Sequence, residues 1–361
     1  MLMICNGERA VLKENLREIE TKAAPHCLID DSGKVQYGQF NQPIAQLGLA
    51  EFQYLSSMDK PASAWAKHFH YKQFQFVSVK TAHYILGFAI ADIRYLGSGF
   101  CYVYNIAKQT LQEVSWLKPY GLAYGTEPSS MNSRAYINGK NTLSITIKNG
   151  QWQLAVETPF LSAELELVCQ HSDQVMAMCS PTAYNGWTYT QKHNALCVSG
   201  NLSINGEAQH LNDALAGYDF SAGYMRRETS WRWASISAQL NDVCLGVNLA
   251  AGVNETGFNE NVLWIDGQKQ LLGPVHFEFT RVPASGSEQA PIDWHIYSAD
   301  GRIDLHFSPL NCRQERLNLW LLKSNFRQYI GHFSGVLVDQ CGQQHRLDKV
   351  LGLSEDHFAR W

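Results

Sequence analysis

The sequence predicts an all-β protein built as two antiparallel barrels in tandem, preceded by a short N-terminal helix and an extended arm. Three observations carry this expectation. Asn-Gly or Asp-Gly pairs at 138–139, 149–150, 205–206, 266–267 and 300–301 fall between short apolar runs, where a tight hairpin needs residues that tolerate positive φ. Around one pair, Leu143, Ile145 and Ile147 and then Trp152, Leu154 and Val156 alternate with polar residues, the period of a half-buried strand. Finally, the chain repeats itself. Phe74 to Val79 followed by Leu86 to Ala91 matches Trp231 to Ile236 followed by Leu245 to Ala250. Val198 to Leu202 with Gly206, His210, Gly217 and Asp219 matches Phe333 to Leu337 with Gly342, His345, Gly352 and Glu355. A unit of roughly 100 residues or a little more, used twice, suits a closed barrel of about eight to ten strands, whose closure removes exposed edges.

In chain order, residues 8–24 predict a helix from Leu12, Leu16 and Ile19, stopped by Pro25. Residues 25–64 carry turn signals such as Asp31-Ser32-Gly33 and predict an arm laid over another part of the chain. The first barrel spans 65–219 and the second 220–361. The stretch from Asp219 to Ala238 reads as one long strand at their seam, with Arg227, Thr229, Trp231, Trp233 and Ser235 on one face and Arg226, Glu228, Arg232 and Ala234 on the other.

Composition bounds the function. With 361 residues, 45% hydrophobic and 17% charged, the chain can bury a large core or two. A net charge of -4 without basic runs argues against a nucleic-acid partner. The nine cysteines form no Cys-x-x-Cys pair, so no thiolate metal site is expected. No segment reaches the length of a membrane span and the N-terminus lacks a signal peptide, which predicts a cytoplasmic protein. Hydrolase, kinase and dinucleotide signatures are absent, and no cofactor or metal is implied.

The segments Arg226 to Ser235, Asn261 to Gly267 and Gly352 to Trp361 resemble the uncharacterised domain-of-unknown-function family DUF2804. That family is similar to tandem lipocalin-like (calycin) proteins, among them carotenoid hydratases, tocopherol cyclases and fungal Diels-Alder cyclases. The resemblance implies two lipocalin-like barrels side by side, with an apolar small molecule held in or between them. It carries over no catalytic residue, because fold alone does not assign one.

Candidate site residues cluster at the seam. Trp231 and Trp233 with Arg227 form either a ligand platform with a cationic anchor or the packing that closes a barrel end. Asp219 and Glu355 end equivalent strands; in an apolar interior either is a candidate general acid, and at a strand end either can cap a turn or pair with Arg226 or Arg227. Asn248 occupies the slot of Ala89 and, if buried, needs a partner or a ligand; Trp264 stands close to it in the pattern, after a turn-like Asn259-Glu260-Asn261 run. His332, Tyr189, Lys192 and His193 precede the closing strands and are weaker candidates, and His68 and His70 share a strand face without a third metal ligand. The expected function is binding of an apolar or amphipathic small molecule in a barrel or at the seam, as a carrier or sequestering protein. A hydratase, cyclase or isomerase working by general acid catalysis, and a filled-barrel scaffold for partners, are the alternatives.

Overall fold

The computed structural model describes residues 19–169, 174–241, 243–255, 257–281, 293–320 and 322–361. Most of the predicted helix at 8–24 lies outside these residues; the described part is extended, with Lys22 bridging Phe40. The helix that does form is Ala64–His70, capped by Ser63, whose Oγ accepts the Ala66 N–H at 3.1 Å. His68 and His70 therefore sit on a helix, where a spacing of two separates them, and not on a strand face.

The body is antiparallel β as predicted, in two large sheets. The first runs Thr110–Pro119, Leu96–Asn105, Tyr84–Asp92, Lys72–Lys80, Leu215–Gly223, Gly186–Ile204, Leu161–Val168, Gln151–Glu157, Thr142–Lys148, Asn132–Asn138 and Tyr124–Thr126. The second runs Gln268–Leu271, Val262–Ile265, Val243–Ala251, Glu228–Leu240, Gln344–Arg360, Leu322–Val338, Ile303–Leu319, Trp294–Ser298 and Val275–Glu278. In each, the first long strand of the repeat lies beside the last. Each sheet curls until its two edges approach. In the first, a Cβ at Gly99 would stand 3.1 Å from Ile137 Cγ2 on the opposite flank, and the Trp116 indole donates to the Asn141 carbonyl.

Several turns follow their local chemistry. Asn149-Gly150, Asn205-Gly206 and Asp266-Gly267 have positive φ at both residues, as a two-residue hairpin requires. Asn138-Gly139 opens a longer connection instead, between strands ending at Asn138 and starting at Thr142.

The long strand expected across 219–238 is two strands. Leu215–Gly223 closes the first sheet against Lys72–Lys80, and Glu228–Leu240 opens the second. The break follows Gly223, where a Cβ would meet the Trp187 carbonyl oxygen at 2.0 Å, so the chains approach too closely for a side chain and the backbone turns away.

The arm fills the first sheet's interior. Its Leu28, Ile29, Phe40, Ile44, Leu47 and Phe52 are buried in one cluster with Trp152, Tyr189 and Tyr218 from the curled sheet. The Ile44 N–H donates to the Tyr189 hydroxyl, and Gly38–Phe40 adds a strand to Met176–Thr182. A second cluster around Ile236, Val247, Trp294, Phe307 and Phe333 fills the second sheet. A third lies between the sheets and joins Phe76, Phe100 and Tyr102 to Trp233, Phe326 and Ile330. Phe76 and Trp233, equivalent positions of the repeat, meet edge to face with centroids 5.7 Å apart. No described helix is long and apolar enough to cross a membrane.

Candidate functional site

Alternation on the strands sends one face of each sheet into its own core and the other toward the seam. On Glu228–Leu240 the odd residues Thr229, Trp231 and Trp233 face the seam; on Gln344–Arg360, Glu355 and His357 do; on Leu322–Val338, Ser324, Phe326 and Gln328 do. The first sheet answers with Phe74, Phe76, Phe100, Thr188, Thr190, Lys192, Asp219 and Ser221. Between them lies a cavity of about 230 Å³, near the small end of ligand sites.

The first sheet's end of the cavity holds a buried charge cluster. Lys192 stands opposite Asp219 in the ladder and its ammonium contacts the Asp219 carboxylate; Glu260 Oε2 lies 3.6 Å from the same nitrogen. Burial alone would lower the Lys192 pKa, but the Asp219 and Glu260 carboxylates, with a contribution from Glu355, outweigh it and raise it. Glu260 moves up as well: burial disfavours its charge, Lys192 opposes that, and Asp219 adds to it. Ser221 donates to Asp219 at 3.1 Å and approaches the Thr190 hydroxyl.

The second sheet's end repeats this plan with different residues. Gln328 stands opposite Glu355 as Lys192 stands opposite Asp219, and its Nε2 donates to Glu355 Oε2 at 3.2 Å. The Trp231 indole N–H donates to Glu355 Oε1 at 2.8 Å, and the Tyr102 hydroxyl donates to Gln328 Oε1 at 2.8 Å. The His357 ring lies 4.2 Å from Trp231 between centroids, with Nδ1 3.7 Å from Glu355 and Nε2 2.9 Å from the Ser324 hydroxyl. Of the other cations of the wall, Arg313, buried against the Phe100 ring, pairs with Glu113 and Glu315, Arg226 with Glu255 and Arg360 with Glu228, while Lys72 and Lys323 have no ion pair among the described residues. Lys72 lies at the cavity's edge, where burial lowers its pKa to about 7.

Of the residues singled out from the sequence, Asp219, Glu355, Trp231 and Trp233 all line this cavity. Asp219 takes Lys192 as its partner rather than Arg226 or Arg227. Asn248 backs the wall: its Oδ1 accepts the Trp233 indole N–H at 2.7 Å and its Nδ2 donates to the Glu260 carbonyl at 2.8 Å, tying the aromatic wall to the loop that carries Glu260. Arg227 is exposed and outside the wall, because the regular strand begins only at Glu228. Trp264 is buried elsewhere, against Met176 and Met178, with its indole donating to the Gln174 carbonyl. His332 is half-buried on Leu322–Val338, opposite Ser308, away from the cavity. His193 is fully buried between Trp264 and Tyr218, with neither ring nitrogen hydrogen-bonded and burial lowering its pKa to about 3.

Glu260, Gln328, His357 and Lys72 escape a reading of the sequence alone. Glu260 sits in an Asn-Glu-Asn run that reads as a turn, and Asn259 bends it locally, its Oδ1 accepting the Asn261 N–H at 3.1 Å; Asn261 Oδ1 accepts the Ala250 N–H and its Nδ2 donates to the Gly273 carbonyl. Nothing local says that this turn points its glutamate inward. The Ser199-Gly200 and Ser334-Gly335 correspondence sets Lys192 against Arg327, and only the ladder pairs show Gln328 in the place of Lys192.

Among solved structures, the fold is similar to kievitone hydratase from Nectria haematococca, with a TM-score of 0.51 at 12% identity over 80% of this chain and 88% of that one. A candidate ATTH from Nitrosomonas europaea has a TM-score of 0.47 at 13% identity over 84% of this chain and 98% of that one. No protein with a curated description matches the chain in sequence. The model of a domain of unknown function, DUF2804, matches residues 17–361, and the chain belongs to that family.

Proposed function

We propose that the seam cavity binds an apolar or amphipathic small molecule and that its carboxyl groups move protons to and from that molecule. The observation that carries the reading is the carboxyl cluster: Asp219, Glu260 and Glu355 line one space, and Lys192 is the buried cation that meets both Asp219 and Glu260, while Lys72, also buried on the wall, is in ion-pair contact with none of the three. Two buried carboxylates that share one lysine favour retention of a proton, and the raised Glu260 is the group placed to hold it. A carrier needs an apolar wall and one anchor; it has no use for a buried acid beside a separate, oriented carboxylate.

In this reading Glu260, coupled to Asp219 through Lys192, is the proton donor. Glu355, oriented by Trp231 and Gln328, is the acceptor. For a hydration, the acid's proton goes to one carbon of a double bond, water supplies hydroxyl to the other, and the water's second proton goes to the acceptor. Cyclisation and isomerisation use the same two groups without the water. The likeness in fold to a hydratase makes hydration the first reaction to try. Trp231, Trp233, Phe76 and Phe100 supply the flat apolar wall.

Native mass spectrometry of the protein purified from its own host, followed by organic extraction, identifies what occupies the cavity. That compound, together with a panel of unsaturated lipophiles, is then incubated in ¹⁸O-labelled water. Labelled product that falls by about 10²- to 10⁴-fold in Glu260→Gln or Glu355→Gln, with the ligand still bound, is the expected result. A ligand that is retained but never converted leaves the carrier reading, and absence of any bound lipophile sinks both.

A further inference from the structure

The second basin of the molecule is cationic. Ser230 and Arg232, Asn325 and Arg327, Asp356 and Phe358 lie on the faces of their strands opposite the seam; with Arg281, Arg316 and Lys323, the last at the border with the seam cavity, they surround a space of about 770 Å³. Further along the same faces, Ala234, Ile236 and Phe333 enter the second sheet's core, so the basin forms that sheet's outer rim. Asp356 is buried at its base and organises three guanidinium groups: Arg281 grips it with Nη2 at 2.7 Å and Nε at 3.0 Å, Arg327 reaches it at 3.2 Å, and Arg232 lies at 3.7 Å.

Arg316 and Lys323 have no ion pair among the described residues. Among the described residues, five cations therefore face one carboxylate, a formal surplus of four positive charges, in a chain whose net charge is -4. Holding like charges in a concavity costs free energy that only a counter-anion returns, and each guanidinium keeps N–H donors that one carboxylate cannot use up. Arg forks match carboxylate and phosphate oxygens two at a time. Leu317 and Phe358 add apolar wall beside the charges.

We infer that this basin is an anion site, taking an oxyanion head group (carboxylate or phosphate) of a small molecule; it adjoins the seam cavity at Leu317, Lys323 and Ser324, which border both. Asp356 is its positioning residue, spreading the guanidinium groups into a cradle.

Isothermal titration of the full chain at low ionic strength tests it, with inorganic phosphate, decanoate and the neutral decanol as probes. Saturable binding of one anion per chain is expected, weakened at least tenfold by Arg316→Gln combined with Lys323→Gln and by raising the salt to about 0.5 M, with no matching site for decanol. Because neither residue is in an ion pair, the double variant keeps the fold, which circular dichroism verifies. Decanoate bound without phosphate assigns the site to carboxylated amphiphiles; phosphate bound as well assigns it to phosphorylated ones. No saturable heat with either anion, binding indifferent to the double variant, or equal binding of decanol overturns the proposal.

Discussion

The seam cavity and the cationic basin lie on the two faces of the same three strands, meeting at Leu317, Lys323 and Ser324, and their ion clusters are of opposite make-up. On Glu228–Leu240, Trp231 and Trp233 face one and Ser230 and Arg232 the other; on Gln344–Arg360, Glu355 and His357 are divided in the same way from Asp356 and Phe358. In the cavity, Asp219 and Glu260 share one lysine; in the basin, three guanidinium groups share one aspartate. The two-residue period of a strand is what makes this possible, since adjacent residues point into environments separated by the thickness of the sheet. Neighbouring acids such as Glu355 and Asp356 thus carry unrelated tasks. Position along the chain says little about which task a residue has; parity says a great deal.

The comparison breaks first at Lys192. Lys192→Met leaves Asp219 and Glu260 facing each other without a cation, at an expected cost on the order of 3–5 kcal/mol in urea denaturation at neutral pH. The unpaired carboxyls then have folded pKa values above their unfolded ones, so stability returns as the pH falls toward 5. A variant as stable as the wild type would mean that the cluster does not share its charge as described.

Next in size is the acid response of His193, one residue along the same strand and on the opposite face from Lys192. Its pKa in the fold is near 3, below the ordinary 6.5, so the unfolded chain takes up the proton first. Its contribution is full above about pH 6.5 and is lost as pH falls through 3, by roughly 5 kcal/mol at the most. His193→Phe should flatten the stability profile over that window, read by denaturant midpoints at half-unit steps. A profile as steep as the wild type's would assign acid sensitivity to the carboxyl cluster instead.

A smaller effect is expected where the aromatic wall is tied to the Glu260 loop. Asn248→Ala strips an acceptor from the Trp233 indole and a donor from the Glu260 carbonyl, costing about 1–3 kcal/mol in denaturant unfolding. Near-ultraviolet circular dichroism should record the loosened tryptophan. The smallest effect belongs to Arg227→Ala, which should change stability by less than about 0.5 kcal/mol and leave ligand occupancy intact in native mass spectrometry. Loss of the ligand in that variant would return Arg227 to the site and move the pocket toward solvent.

Much of this molecule is legible in the sequence where the controlling physics is local. Asn149-Gly150 and Asp266-Gly267 form tight turns because their backbone chemistry asks for positive φ, and Leu143 to Val156 form a hairpin because alternation buries one face. The repeat brought Asp219 and Glu355 to attention as equivalent ends, and both reach the same cavity. The failures are of another kind. Arg227 shares the parity of Trp231, but the strand begins after it, and parity holds only within a regular strand. Trp264 shares no wall with Trp233, although Asn248 lies between them in the chain, because its strand carries it against Met176 and Met178.

The amino-acid order by itself determined the element type, several turns, the twofold repetition and the aromatic character of the seam, each of which depends on neighbours a few residues away or on an internal copy. Only the tertiary structure decided that the arm fills the first sheet, that Lys192 answers Asp219, that a turn glutamate at 260 enters the cavity, and that Arg232, Arg281 and Arg327 converge on Asp356. These depend on pairings across tens to hundreds of residues. Burial and charge balance exist only once such distant groups share a space, and no local pattern encodes them.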